Sequence, residues 1–368
     1  LVSVNNSGRE LFGEAMDMTL SRDFSFNNIT GITNDDGKVT LRFIAKPISG
    51  TGNVTLSVNG SELISRTISY SSSSDEYTKA NLAYEVADWK GDKSANVKVN
   101  VRYGQYGHKN VYLDYIRLQM KRELQPYGAC TFFRSLASVG NPSRFVIQNA
   151  NANTLVFDVT DAVNPKRMET ELSGSELSFS IPGGTLREFA LVQRNQSLPT
   201  PKVVGDVTNQ DLHALPQTDM IIIAQPGLTS QAERLAEAHR DRDGLTVQVV
   251  TPEVIYNEFS SGTPDATAYR RFMKMFYDRQ TSESDAPKYL LLFGDGAFDN
   301  RFLTSSWQNV TTSNMLLTYQ TDESLDDKSY VIDDYFGFLD DSNNGKGLIA
   351  SKIDIGIGRF PVRTVTEA

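Results

Sequence analysis

The stretch DMIIIAQPGLTSQAERLAEAHRDRDGLTVQVV, residues 219–250, decides the fold. Residues 220–224 are apolar without interruption, the pattern of a strand buried on both faces. Ser230 and Glu233 then stand in capping-box spacing, and Ala232, Leu235, Ala236 and His239 recur at helical intervals. Gly244 supplies the residue at which such a helix stops, and residues 246–250 return as a strand. Two strands joined by one helix predict a parallel pair with a right-handed crossover. Downstream the pattern repeats. Asp265 caps a helix after Pro264, with Tyr269, Phe272, Met273 and Phe276 on one face; YLLLFGD (289–295) is a third buried strand, and IDIGIG (353–358), with Ile353, Ile355 and Ile357 alternating, is a fourth. Residues 206–368 therefore read as the first subdomain of a doubly wound α/β fold. In such sheets functional groups collect in loops beyond the carboxyl ends of the strands, here AQPG, GDGAFDNR and GRFPV.

Upstream the period changes to two, so the whole chain reads as a multidomain β plus α/β protein. Residues 1–125 alternate in short runs such as KVTLRF and VKVNVRY, and Asn59-Gly60 between two such runs is a hairpin signal. In VYLDYIRLQM the apolar phase shifts around Asp114, as a bulge requires. This predicts a jelly-roll-like β-sandwich. Residues 126–205 continue as a second, smaller β unit through RFVIQN, TLVFDVT, LSFSIP and REFALVQ, closed by a linker around Pro199 and Pro201.

With 368 residues, two or three domains are expected. A net charge of -9 argues against nucleic acid as a partner. No apolar run reaches the roughly 20 residues that span a bilayer. One cysteine, Cys130, excludes an internal disulfide and a Cys-based zinc site, without deciding the compartment. The chain opens on Leu1 and closes soon after Thr364 and Glu367, which stand in capping-box spacing. A helix that is announced and then ends predicts a fragment of a longer protein.

Nucleophiles and ligands are sparse. His108, His213 and His239 lie far apart and form no ligand motif; His239 near a helix end reads as an ordinary residue favoured by the dipole. Cys130, in YGACTFF, lacks an activating elbow and reads as an ordinary, even buried, cysteine. Carboxylates are the richer signal. Asp295 and Asp299 follow the third strand, and Asp333, Asp334, Asp340 and Asp341 fill DDYFGFLDD. Such loops can converge on a structural Ca²⁺, with Asp295, Asp299, Asp333 and Asp334 as its ligands; the plainer reading is that they cap turns and face water. Nothing in their spacing selects a paired-carboxylate glycosidase.

Several stretches together resemble one family. QDLHAL (210–215), YNEFSSGTPDATA (256–268), PKYLLLFGDGAFDNR (287–301), DDYFGFLDD (333–341) and DIGIGRFPV (354–362) are similar to the gingipain-type, or C25, cysteine peptidases, and most of all to their type IX secretion sortases. The likeness is dense over 206–368 and weaker over 126–205. It implies a caspase-like fold whose Cys nucleophile and Gly-His-Gly base lie in a second half. Neither motif occurs here, so no residue of this chain is assigned a catalytic role and the chain alone is expected to be inactive. No cofactor is required for the implied thiol chemistry. The implied activity is cleavage of C-terminal sorting signals from exported proteins and their attachment to surface lipopolysaccharide. Implied partners are those exported proteins, outer-membrane secretion components, and lipopolysaccharide or glycan; the implied location is the outer-membrane-associated surface of a Gram-negative bacterium.

A second reading is a non-catalytic extracellular glycan- or protein-binding scaffold. Sugar stacking needs exposed aromatic faces. Trp89, Trp307, Tyr103, Tyr106 and Tyr112 are the residues to inspect, with a core role as the plainer expectation.

Overall fold

The computed structural model describes residues 1–70, 79–104, 108–326, 328–340 and 352–368. The first seven strands are β1 (Ser21–Phe26), β2 (Asp36–Lys46), β3 (Gly52–Val58), β4 (Ser61–Ile68), β5 (Asn81–Lys90), β6 (Val97–Tyr103) and β7 (Lys109–Gln119). They form two antiparallel sheets, ordered β1-β6-β3-β4 and β5-β2-β7. Alternation buries Val54, Leu56, Val99 and Val101 from one sheet against Val39, Leu41 and Phe43 from the other. Asn59 and Gly60 join β3 to β4 with φ of 47° and 84°, the pair of positive values a two-residue hairpin of matching twist needs. Between Arg42 and Phe43 of β2 the register on β7 skips Asp114, which is therefore the extra residue of a bulge. Arg42 ion-pairs with this Asp114 and also with Glu10 at 2.6 Å.

The next seven strands are β8 (Cys130–Arg134), β9 (Ser143–Ile147), β10 (Thr154–Asp158), β11 (Lys166–Arg167), β12 (Glu171–Ser173), β13 (Glu176–Ile181) and β14 (Glu188–Gln193). Their sheets, β11-β10-β14-β8 and β12-β13-β9, enclose a small core of four packed rings, Phe133, Phe145, Phe179 and Phe189. Cys130 opens the edge strand β8 and is exposed, not buried: an edge position at the end of a small sheet has no layer above it. Residues 197–211 carry no regular structure, and Val203, Val204 and Val207 are 90%, 96% and 69% exposed.

The α/β unit runs β15 (Met220–Ala224), α1 (Thr229–Asp243), β16 (Val247–Val250), α2 (Pro252–Phe259), α3 (Ala266–Arg279), β17 (Tyr289–Phe293), β18 (Tyr319–Gln320), β19 (Val331–Ile332) and β20 (Gly356–Phe360). Its parallel sheet has the order β16-β15-β17-β20. Ile221 and Ile223 face the aromatic side of α3, whereas Met220, Ile222 and Ala224 face Ala232 and Ala236 of α1. Helices thus cover both faces, as the uninterrupted apolar run demands.

Three local expectations change. The helix α1 begins at Thr229, one residue before the expected cap, because the turn Pro226–Leu228 leads directly into it; Leu228 is the N-cap and the Ser230–Glu233 box does not form. The helix α2 was not foreseen. Pro252 in its first turn starts it and Ile255 anchors it in the core. The fourth strand lies at 356–360 instead of 353–358, because Asp354 is tied to the 337–340 turn: its amide donates to the Gly337 carbonyl and its carboxylate accepts from the Leu339 amide at 2.7 Å. Other signals match the structure. Asp265 accepts from the Thr267 amide at 2.8 Å, Gly244 ends α1 at φ 67°, and Thr364 and Glu367 exchange the two bonds of a capping box. Among the described residues no helix is long and apolar enough to cross a membrane.

Candidate functional site

The carboxyl ends of β17 and β20 open onto a cleft of about 340 Å³, walled by Asp295, Phe298, Thr318, Ile332, Asp333 and Arg359 among others. Two glycines shape it. A Cβ on Gly294 would lie 2.6 Å from the Asn314 carbonyl, and one on Gly296 2.5 Å from Thr318. The 314–318 segment can therefore lie on this loop only where side chains are missing. Backbone bonds complete the seat, from the Leu316 amide to the Asp295 carbonyl at 2.8 Å and from the Gly294 amide to Phe360 at 3.0 Å.

Of the four expected calcium ligands, Asp295 and Asp333 line this cleft and Asp299 and Asp334 do not, and no three of them bring their carboxylate oxygens within 4.8 Å of one another. Asp333 receives the Arg359 fork through Nε at 2.7 Å and Nη2 at 2.8 Å. Asp295 receives Arg363 Nε at 2.6 Å and its neighbour's Gly296 amide at 2.8 Å. Asp299 is 5% exposed and turned into its own loop, accepting from the Arg301 and Thr304 amides. Asp334 stands in the first turn of the short 3₁₀ segment Asp334–Gly337, and Asp341 lies outside the described residues. Calcium takes six to eight oxygens, so a Ca²⁺ here would have to displace both arginines. Arginine side chains already neutralise Asp295 and Asp333, and the four carboxylates do not fit a common ion as they stand. The sequence reading missed these partners. The available signal was an arginine inside an otherwise apolar strand, in GRFPVR, opposite an aspartate-rich loop.

Among the described residues, the one group of three whose ligand atoms lie within 4.8 Å of one another is Asp211, His213 and Glu258. Its geometry is that of a clamp. Glu258 accepts from the Leu212 amide at 2.8 Å, Gln210 Nε2 at 2.7 Å and His213 Nδ1 at 2.7 Å, which fastens residues 210–213 to α2. Burial pulls this carboxyl upward, but those hydrogen bonds outweigh it and hold it below the usual range. The His213 ring also stacks on Phe259 at 4.7 Å.

The remaining histidines and the thiol occupy unrelated places. His239 pairs with Asp243 on the surface of α1 at 2.6 Å. His108 is buried in the first sandwich, where its Nε2 meets the Ser49 carbonyl at 3.0 Å and its Nδ1 the Tyr103 hydroxyl at 2.8 Å. A carbonyl only accepts, so Nε2 donates to Ser49, and in the neutral ring Nδ1 accepts from the Tyr103 hydroxyl. Cys130 belongs to the second β unit. Of the aromatic residues inspected for sugar stacking, Tyr103 and Trp89 are core residues, Tyr112 packs against the cluster around Phe12 and Ile44, and Trp307 lies against Phe298 and Phe302. Tyr106 lies outside the described residues.

Residues 213–368 match the model of peptidase family C25. Dimeric latent PorU from Porphyromonas gingivalis is similar to this chain, with 32% identity and a TM-score of 0.86, over 98% of this chain and 35% of that one. The chain thus spans about a third of that PorU chain's length. The N-terminal CBM22-1-CBM22-2 tandem domain of Paenibacillus barcinonensis Xyn10C matches 47% of this chain and 76% of its own at 10% identity and a TM-score of 0.20. A β-glucuronidase from Ruminococcus gnavus matches 77% of this chain and 59% of its own at 11% and 0.18. Scores at that level carry no inference. No protein of curated function matches the chain. Through its α/β unit, residues 213–368, the chain is thus similar to the gingipain-type peptidases of family C25, and it shares its fold with PorU.

Proposed function

We propose that this chain supplies the β modules and first sheet strands of a cysteine peptidase with sortase activity. In this reading the whole protein cleaves C-terminal sorting signals from type IX secreted proteins and transfers the acyl group to water or to an amine of surface lipopolysaccharide. The likeness to PorU over 98% of the chain carries the proposal. A thiolate attacks the scissile carbonyl, the amine side leaves, and the thioester is released by either nucleophile. Backbone N–H groups at strand ends are suited to the oxyanion that forms on the way. This chain's share is positional: Arg359 and the glycine loop fix the carboxyl edge of the sheet beside which such a dyad works. The protein would act at the outer-membrane-associated cell surface of a Gram-negative bacterium, with exported proteins, secretion components and lipopolysaccharide or glycan as partners.

The test compares the product of the complete gene with residues 1–368 alone, on a reporter ending in a type IX sorting domain. Cleavage by the complete protein, abolished by thiol alkylation, with none by this chain, supports the reading. Cleavage that survives alkylation, or none by either protein, sinks it.

A further inference from the structure

The strands β18 and β19 form a hairpin whose two ends serve different parts of the molecule. Its stem walls the strand-end cleft, through Val331, Ile332 and the adjoining Thr318 and Asp333. Its tip is seated on the first sandwich. Leu325, 5% exposed, enters a socket of Phe12, Ile44 and Ala80, and its carbonyl accepts from the Ala80 amide at 3.0 Å. Residues 1–12 close over it as a strap. The Asn5 side chain donates to the Asp326 carbonyl at 2.8 Å, Ser7 and Ser329 share a buried hydroxyl bond of 2.8 Å, and Arg9 donates to the Gln320 carbonyl at 2.8 Å while pairing with Asp322 at 2.7 Å. At Gly8, φ is +78° and a Cβ would overlap the Glu323–Ser324 backbone, so only glycine lets the strap approach this closely.

We propose that the first sandwich and its N-terminal strap act as a clamp that sets the shape of the strand-end cleft. Arg9 lies over the Tyr319 ring, which stacks on Tyr335 at 3.8 Å, two residues from the Asp333 that holds Arg359. Contact is therefore continuous from the strap to the cleft floor. The covalent route is no substitute, because the exposed, irregular linker at 197–209, ahead of the residues fastened to α2, cannot transmit a fixed position. Loss of the clamp releases the hairpin stem and, with it, the 314–318 segment that lies on Gly294 and Gly296.

Hydrogen exchange on the intact 368-residue chain tests this, comparing wild type with Leu325→Ala and, separately, Arg9→Ala, whose half-exposed side chain can be shortened without opening a core. The expected result is about tenfold faster exchange at the Leu316 and Thr318 amides, with β13, β14 and α3 unchanged, as for a local opening. Acceleration confined to residues 1–12 and 321–330 makes the strap a docking contact only and overturns the proposal. So does acceleration of β13 and β14 together with the hairpin, which is general loss of stability. If Leu325→Ala does not fold, Arg9→Ala alone decides between these outcomes.

Discussion

Arg359 holds Asp333 through both arms of its guanidinium and spends its other N–H groups on the carbonyls of Gly294, Asp295 and Leu317, at 3.1, 3.3 and 3.2 Å. All five donors of an arginine are thereby engaged. One side chain ties the end of β17 to the hairpin and to the turn before β20. Arg359→Lys keeps the charge but loses the planar fork and leaves carbonyls of the cleft without donors, and is expected to cost about 1–3 kcal/mol. Urea unfolding followed by an α/β-unit probe measures it; a change of a few tenths would show the fork to be dispensable.

The calcium reading is testable by melting. With Asp295 and Asp333 matched by Arg363 and Arg359, chelation by EDTA is expected to leave the melting temperature unchanged. A rise of several degrees on adding Ca²⁺, lost in an Asp333→Asn variant, would restore a metal to this edge.

Alkaline pH should destabilise two cores. Tyr256 and Tyr269 share a hydroxyl bond of 2.7 Å, and burial raises both phenols, that of Tyr269 to about 12. Burial likewise lifts Tyr103 to about 12. A raised folded value means stability that is complete below the unfolded value of about 10 and lost as pH climbs toward 12. Phenolate absorbance should therefore appear in step with unfolding for these residues. Early, fold-independent titration of all fifteen tyrosines would contradict the burial described.

Acid should act on the α2 clamp. The depressed Glu258 carboxyl contributes stability above its unfolded value and loses it as pH falls through the lower folded one. Glu258→Gln is expected to free residues 210–213, seen as faster amide exchange at Leu212 and His213 with α3 unaffected.

Removing the Tyr103 hydroxyl leaves the His108 Nδ1 buried without a donor. Tyr103→Phe should cost about 1–3 kcal/mol, and exchange in β3 and β6 should report it. Equal stability would mean that the ring had turned to another partner.

Much of the architecture was legible because local chemistry and burial agreed. Asn59-Gly60 needed positive φ, Asp114 broke an alternating phase, and Asp265 stood before a strongly amphipathic helix. The start of α1 was misread because the Pro226 turn reaches Thr229 before the Ser230 box can close. The fourth strand was misplaced because Ile353 and Ile355 imitate a strand, while Asp354 is held by a turn too distant in sequence for any local pattern to register. Of the candidate ligands, Asp295 and Asp333 stand at the strand-end cleft, each paired with an arginine. A list of aspartates does not reveal which arginines fold back on them.

The two-sided sheet has a consequence for how its alignment is encoded. In β15, Ile221 and Ile223 share a cluster with the rings of Tyr269, Phe272 and Phe276, while Met220, Ile222 and Ala224 share one with Ala232, Ala236 and Leu228 of the α1 side. Both faces are oily, so a slip of one residue would leave polarity untouched and exchange a ring-lined face for one built around alanines and leucines. Side-chain fit then has to choose this strand's register, a code written in volumes that no reading of apolar and polar letters can recover.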